Sequence, residues 1–405
     1  MSVEIHATPA DDLREAADVV SAALMARPYN DERWERARPS WEEMVSYTAS
    51  DEGACVGHVG AFVVDTLVPG GSLLPTGAVS RVGVLPTARR RGIATALMHE
   101  LIRDAEQRDL SMLSLRASES IIYERFGFGL AGEFCQITLD PSKASPIRGA
   151  ARDGTFRLLG GDEIVAVVAD LYRRVAFRRP GVITRPPSFH DRLFHDAIHG
   201  EKASFVVVHT SGDGVDDGYA HYETEWDDDH PDGPTGRGEI FDVFGESDQV
   251  ELALWQYLCD VDLVTRWKAV ERPVDDVVRL ASRDMRAYRT RVIDDEQWVR
   301  LIDAGAALSS RSYRNVAGEV RIGIVDPLLP ANDGVWRVNG DGAVRVDDEP
   351  DLHGDVAGVS AAYLGGTSWA TLVATGRVSE RTSGAAVRAD DLFASIPLPF
   401  CGTFF

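Results

Sequence analysis

The sequence has 405 residues, too many for one ordinary core, and so calls for two or three domains. Its 44% hydrophobic and 26% charged residues place it among globular chains, not disordered ones, and it holds no run of 18 apolar residues that could cross a membrane. The net charge of −22 repels nucleic acid and anionic membrane and attracts cations, so neither of the first two is expected as a partner.

The N-terminal stretch carries early acidic residues and lacks the apolar segment of a secretory signal. Residues 11–26 read as a helix with Leu13, Ala16, Ala17, Val20, Ala23 and Leu24 on one face, ended by Pro28. A second short helix is expected at 41–47, then strands at 54–60 and 61–67 before the Pro69-Gly70-Gly71 turn. Residues 78–85 read as a strand that stops at Pro86. From Gly92 the pattern turns helical, with Ile93, Ala96, Leu97, Leu101 and Ala105 at spacings of three and four. A strand at 110–118, a helical turn at 121–126 and a strand at 132–139 complete the first unit, and 141–149 reads as a linker. The second unit, to about 290, offers a helix at 162–178, strands at 204–209, 218–224 and 239–244, and a helix at 248–260. This order echoes the first unit and points to a duplication. Mobile loops are expected at 211–218 and 226–238. The third unit is expected to hold a helix around 295–308, strands at 319–325, 334–338 and 342–347, a helix around 356–363, and an extended tail.

The strongest signal is the stretch from Val79 to Leu97, VSRVGVLPTARRRGIATAL. A strand ends at Leu85, an arginine-rich turn follows, and a helix opens at Gly92. The first N–H groups of a helix lack intrahelical partners and lie at the positive end of its dipole. A pyrophosphate can sit there on backbone amides. Gly92 leaves room for the approach, Ala94 is nearly as small, Thr95 can add a hydroxyl, and Arg89 and Arg90 add charge-assisted contacts. A triple arginine in so acidic a chain asks for an anionic ligand. The alternative is a surface arginine cluster capping an ordinary strand–helix unit.

About 35 residues on comes S118-E-S-I-I-Y-E-R-F-G-F-G129. The two stretches together resemble the GNAT acetyltransferase superfamily: Arg89, Gly92 and Ala94 match its [QR]-x-x-G-x-[GA] acetyl-CoA motif, and Y-E-R-F-G-F its later element. Within it the chain more closely resembles the enhanced intracellular survival (Eis) family, with agreement strong over 78–130 and extending to chain length, three-unit layout and aromatic C-terminus. The resemblance implies an α+β chain of tandem GNAT-like domains, the first (1–145) active and the second (146–288) degenerate, followed by a sterol carrier protein-like domain (289–405) whose tail enters the active site. It implies acetyl-CoA as co-substrate, no metal, and a homo-oligomer, hexameric in that family.

In such proteins the pantetheine arm pairs with a splayed strand, here 79–85, with Val82 and Val84 supplying backbone groups. Ser118 matches a serine that contacts CoA. Tyr123 matches the tyrosine that protonates the leaving thiolate, a role open to a phenol that is protonated at neutral pH; a packing tyrosine is the alternative. The resemblance assigns the base to the carboxylate of Phe405. The tail I396-P-L-P-F-C-G-T-F-F405 is almost wholly apolar, which reads as extended and buried, whether for chemistry or simple docking. Asp31, Glu32 and Glu35 beside Trp34 could hold an ammonium by charge and cation–π contact, although a solvated helix face accounts for any one of them. The acceptor is then a small cationic amine (aminoglycoside-like or polyamine) or a protein lysine. Family members active on aminoglycosides carry an acid before the terminal Phe, where this chain has Phe404.

In the second unit the matching loop carries Glu246 and Asp248 where the first has arginines, and carboxylates there repel phosphate. The four cysteines are widely spaced without a CxxC pair, which fits a reducing cytosol. His195 and His199 share a helix face as metal ligands can, but no H-E-x-x-H or nearby cysteine accompanies them, and a structural reading is preferred. A catalytically inactive scaffold that binds CoA or lipid is the competing function.

Overall fold

The computed structural model describes residues 3–161, 163–200, 202–229 and 235–405. The chain forms two compact units. The first holds the residues up to Gly132 with Asp295–Ile396 and Thr403–Phe405; the second holds Glu133–Asp294 with Pro397–Gly402.

In the first unit, antiparallel strands Glu4–Ala7, Met44–Asp51, Ala54–Leu67 and Leu73–Val84 lie side by side. Met112–Leu115 then runs parallel to Leu73–Val84 and pairs on its other edge, antiparallel, with Trp298–Leu301. Helix Leu13–Ala23 buries Leu13, Ala16, Ala17 and Val20 as its periodicity requires, whereas Leu24, expected on the same face, caps the helix and is exposed. Helix Ile93–Gln107 likewise buries Ile93, Leu97, Leu101 and Ala105, while Ala96 is exposed. The expected helix at 41–47 is instead the end of a helix Asp31–Glu42, capped by Asn30, after which the strand begins at Met44. Met44, Ser46 and Thr48 face inward in alternation, and two buried tryptophans, Trp34 and Trp41, anchor the helix.

The rest of this unit has its own sheet, in the order Gly342–Val346, Gly334–Asn339, Glu319–Val325, Leu352–Asp355, Val378–Glu380. Helices Ala304–Ser310, Val356–Tyr363, Trp369–Ala374 and Ala385–Phe393 pack around it. The expected helix at 295–308 is a correction: a strand, Tyr288–Leu301, precedes the helix Ala304–Ser310. Every residue from Glu296 to Leu301 is buried, so no face alternates and the period misleads. The last two helices and their strand lie in what reads from sequence as extended tail; only the residues after Phe393 lack regular structure.

The second unit repeats the plan. Strands Thr155–Leu159, Ser204–Thr210, Asp216–Asp227 and Thr235–Gly245 are antiparallel neighbours. Helix Asp248–Cys259 leads to Val264–Pro273, which runs parallel to Thr235–Gly245. Of the two loops expected to be mobile, 211–218 is a short turn entering the strand at Asp216, while residues 230–234 of the other lie outside the described residues. His190 and His199 fall on two short helices, Pro187–Leu193 and His195–His199. His190 is buried against Phe194. The rings of His195 and His199 lie 4.5 Å apart, and among the described residues no three His, Cys, Asp or Glu gather as metal ligands.

Candidate active site

The parallel pairing of Leu73–Val84 with Met112–Leu115 runs from Thr76 to Val79 and stops at Val79↔Leu115. The first strand continues to Val84, so its last residues have lost their neighbour on that edge. Within the same stretch the pairing to Ala54–Leu67 slips: His58 faces Gly83, but Gly60 faces Ser80. Two residues, Arg81 and Val82, therefore oppose Val59 alone, which is a β-bulge. Arg81 adopts φ 55, a left-handed conformation that costs a non-glycine residue roughly 1–2 kcal/mol. Val82 and Val84, expected to present backbone groups to pantetheine, are half-buried on this strand, beyond the end of the parallel pairing.

The arginine loop follows. Gly92 has φ 80, and a Cβ built on it would meet nothing within 4 Å. The glycine is thus required by backbone conformation, and its open side faces no protein atom. Ala96 N–H makes a helical bond to the Gly92 carbonyl, at 3.0 Å, while the N–H groups of Ile93, Ala94 and Thr95 stand at the helix opening with no acid in the first turn. Arg89 donates to the Ala23 carbonyl at 3.1 Å and ties the loop to the first helix. Arg90 is left-handed (φ 63) and exposed. Arg91 is bound to Asp51 at 2.7 Å. This bare, cationic helix start fits a pyrophosphate.

Tyr123 ends the short helix Ser120–Tyr123, buried edge-on against Phe128. Burial raises its pKa, and a side-chain hydrogen bond with Ser118 works the other way. Ser118 lies in the stretch just before that helix. Phe405 is buried, whereas Phe404 is exposed, with the Arg116 guanidinium 5.1 Å from its ring centre.

The expected acceptor residues sit on one helix, and three of them, Asp31, Trp34 and Glu35, are engaged by the chain's own cations. Asp31 lies 3.7 Å from Arg14, whose guanidinium also covers the Trp34 ring at 5.5 Å. Glu35 pairs with Arg38 at 3.1 Å, and Glu32 is exposed. Sequence reasoning missed a buried group behind the bulge: His58, wholly buried, donates from Nδ1 to the Arg81 carbonyl at 2.9 Å. Arg81 in turn reaches the Ser40 carbonyl (2.8 Å) and hydroxyl (2.6 Å) and stacks on Trp41 at 4.2 Å. The available signal was a lone histidine in the glycine-spaced strand ACVGHVGAF.

In the second unit the corresponding parallel pairing ends at Ile240↔Ala269, and its neighbouring register slips at Ile240/Asp242. Here, however, Ser247 caps the following helix, and Asp248 and Glu251 are both bound by Arg178. Residues of the tail pack in the same unit: Phe400 N–H bonds the Pro180 carbonyl at 2.8 Å, and the buried Arg185 donates to the Gly402 carbonyl at 3.1 Å. The helix start that could take phosphate in the first unit is self-satisfied in the second.

A strand that parts from its parallel neighbour, followed by an arginine loop and a bare helix start, defines a GNAT-type acyltransferase, a class that uses acetyl-CoA. Models of the GNAT acetyltransferase domain match residues 4–131 and again 181–301, and the sterol carrier protein domain matches 304–402. An uncharacterised N-acetyltransferase of Streptomyces avermitilis is 34% identical over 380 residues, 90% of this chain and 91% of that one. N-acetyltransferase Eis of Mycobacterium tuberculosis is 30% identical over 341 residues, 81% and 80% of the two chains. The crystal structure of Eis1 from Mycobacterium abscessus superposes with a TM-score of 0.88 at 32% identity, covering 99% of this chain and 100% of that one. The chain therefore belongs to the Eis family of GNAT N-acetyltransferases: two GNAT domains followed by a sterol carrier protein-like domain.

Proposed function

We propose that the first GNAT domain transfers an acetyl group from acetyl-CoA directly to the amine of a cationic acceptor, and that the domains span 1–145, 146–288 and 289–405. The observation that carries this reading is the parting of the strands at Val79↔Leu115 just before the bulge, with the bare helix start at Ile93 downstream. Arg89, Arg90, Thr95 and the amides from Gly92 to Ala94 hold the pyrophosphate. Val82 and Val84 pair with pantetheine, and an N–H near Val82 polarises the acetyl carbonyl in the tetrahedral intermediate. Ser118 contacts CoA, and Tyr123 gives its proton to the leaving thiolate. The Phe405 carboxylate takes the proton from the attacking amine.

The acceptor is drawn in by the net charge of −22 and held at Asp31, Glu32, Trp34 and Glu35. Arg14 and Arg38 occupy part of that surface, but partly exposed ion pairs contribute only ~0–1 kcal/mol, so an incoming polycation can replace them. Aminoglycoside-like amines, polyamines and lysine side chains all satisfy this chemistry; Phe404 in place of an acid weakens the case for the first. The protein works in the cytoplasm as a homo-oligomer, a hexamer by family resemblance. Thiol release from acetyl-CoA against aminoglycosides, polyamines and lysine peptides tests the reading. Turnover with at least one class is expected. CoA binding without turnover on any of them would favour a non-catalytic scaffold.

A further inference from the structure

We propose that His58 is a positioning residue for acetyl transfer, latching the bulge at Arg81–Val82 so that the Val82 N–H keeps its aim at the acetyl carbonyl. This rests on the acetyl-CoA site proposed above. A left-handed arginine in the middle of a strand does not hold itself there. Two contacts hold it. The Arg81 side chain is clamped by Ser40 and by the Trp41 ring. The Arg81 backbone is gripped by His58, whose Nδ1 meets the carbonyl at 2.9 Å. A carbonyl only accepts, so Nδ1 carries the hydrogen and Nε2 is bare.

That bare Nε2 is buried and has no hydrogen-bond partner among the described residues. An apolar side chain would fill the site without leaving a polar atom stranded, so packing alone does not explain a histidine. Among the described residues, the ring's one hydrogen bond goes to the residue that shapes the bulge. Trp41, 5.2 Å away ring to ring, packs against both His58 and Arg81 and closes the latch. Burial pushes the imidazole down to about 4, so the neutral donor form persists at neutral pH.

The second unit supplies an internal comparison. Its bulge at Phe241 also faces a buried histidine, His221. There Nε2 bonds the Ser204 hydroxyl at 3.0 Å and Nδ1 has no partner, so neither nitrogen grips the bulge. Among the described residues Phe241 is not left-handed. The unit whose helix start is self-satisfied has the histidine but not the latch.

The test uses H58L, which removes the donor, and H58N, whose amide nitrogen can stand near the Nδ1 position. Dissociation constants for acetyl-CoA and for CoA, measured by calorimetry, separate a carbonyl effect from a fold effect, since CoA has no acetyl oxygen. H58L is expected to lose about a hundredfold in kcat, the scale of one misplaced oxyanion donor. It should lose most of its preference for acetyl-CoA while CoA affinity stays within about twofold. H58N should recover most of both. Wild-type kcat and preference in H58L overturn the inference, as does equal loss in both variants accompanied by loss of CoA binding. Should H58L fail to fold, nitrogen NMR of the wild-type histidines decides: an Nδ1–H tautomer whose shift responds to acetyl-CoA but not to CoA supports the latch, and an Nε2–H tautomer overturns it. Wild-type protein that binds no CoA sinks the site reading itself, an outcome distinct from these.

Discussion

Tyr123 shows what one residue can and cannot announce. Its place in Y-E-R-F-G-F marks it in the sequence, but a motif does not distinguish an acid from a packing ring. The structure adds burial, which raises the pKa of the phenol and keeps it protonated. Tyr123→Phe keeps the ring and its contact with Phe128 and removes only the proton. We expect kcat to fall about a hundredfold, the usual size of a general-acid contribution, with the dissociation constant for CoA nearly unchanged. Stopped-flow thiol release and calorimetry check both parts, and wild-type turnover would return Tyr123 to packing. The loop before a bare helix start was similarly legible, since Pro86 ends the strand and the periodicity from Ile93 opens the helix. His58 and Arg81 were not: a bulge is one extra residue in a ladder, and a single sequence carries no register.

At the scale of elements, periodicity succeeded where one face is buried and failed where both are. Ile93–Gln107 is an example of the first, and Tyr288–Leu301 of the second, its inner half holding buried Glu296, Gln297 and Arg300 among apolar residues. The tail is the element on which function and placement meet. Leu398 N–H bonds Asp275 at 3.0 Å and Arg179 reaches the Leu398 carbonyl, so Pro397–Gly402 is fixed to the second unit, while Thr403–Phe405 belong to the first. Deleting Phe404 and Phe405 draws the terminus back by about 7 Å. Turnover should fall at least tenfold for the truncated form and for one extended beyond Phe405, with only a small drop in melting temperature. A ligated C-terminal amide keeps the packing and removes the charge. Loss of activity in the amide supports the carboxylate as base; full activity there would show that the tail only shapes the pocket, and the base would then be sought among Asp31, Glu32 and Glu35.

Over the whole molecule the duplication visible in the order of elements is repeated at a finer level, in the two bulges that each face a histidine. Together with His190 these are three of the four buried imidazoles among the described residues, and His58, His190 and His221 are each pushed down to about 4 chiefly by burial. In the unfolded chain each titrates near about 6.5. Between those values the unfolded state binds protons that the native state refuses. Stability is therefore full above about pH 6.5 and falls as pH drops toward 4, by about 1.4 kcal/mol per pH unit for each histidine. Carboxylates held low by arginines, such as Asp351 at about 2 beside Arg321, withdraw stability only at still lower pH. Glu223 and Glu251, raised by burial, act in the opposite sense and partly offset the fall near pH 5. We expect a melting temperature that declines steadily from pH 7 to 4.5. Calorimetry in buffers of different ionisation enthalpy should show an uptake of about two to three protons on unfolding near pH 5. Replacing His221 with leucine should remove one of those protons and flatten the slope. A melting temperature that is level from pH 7 to 5, with no proton uptake, would mean that the three rings are not held neutral in the native state.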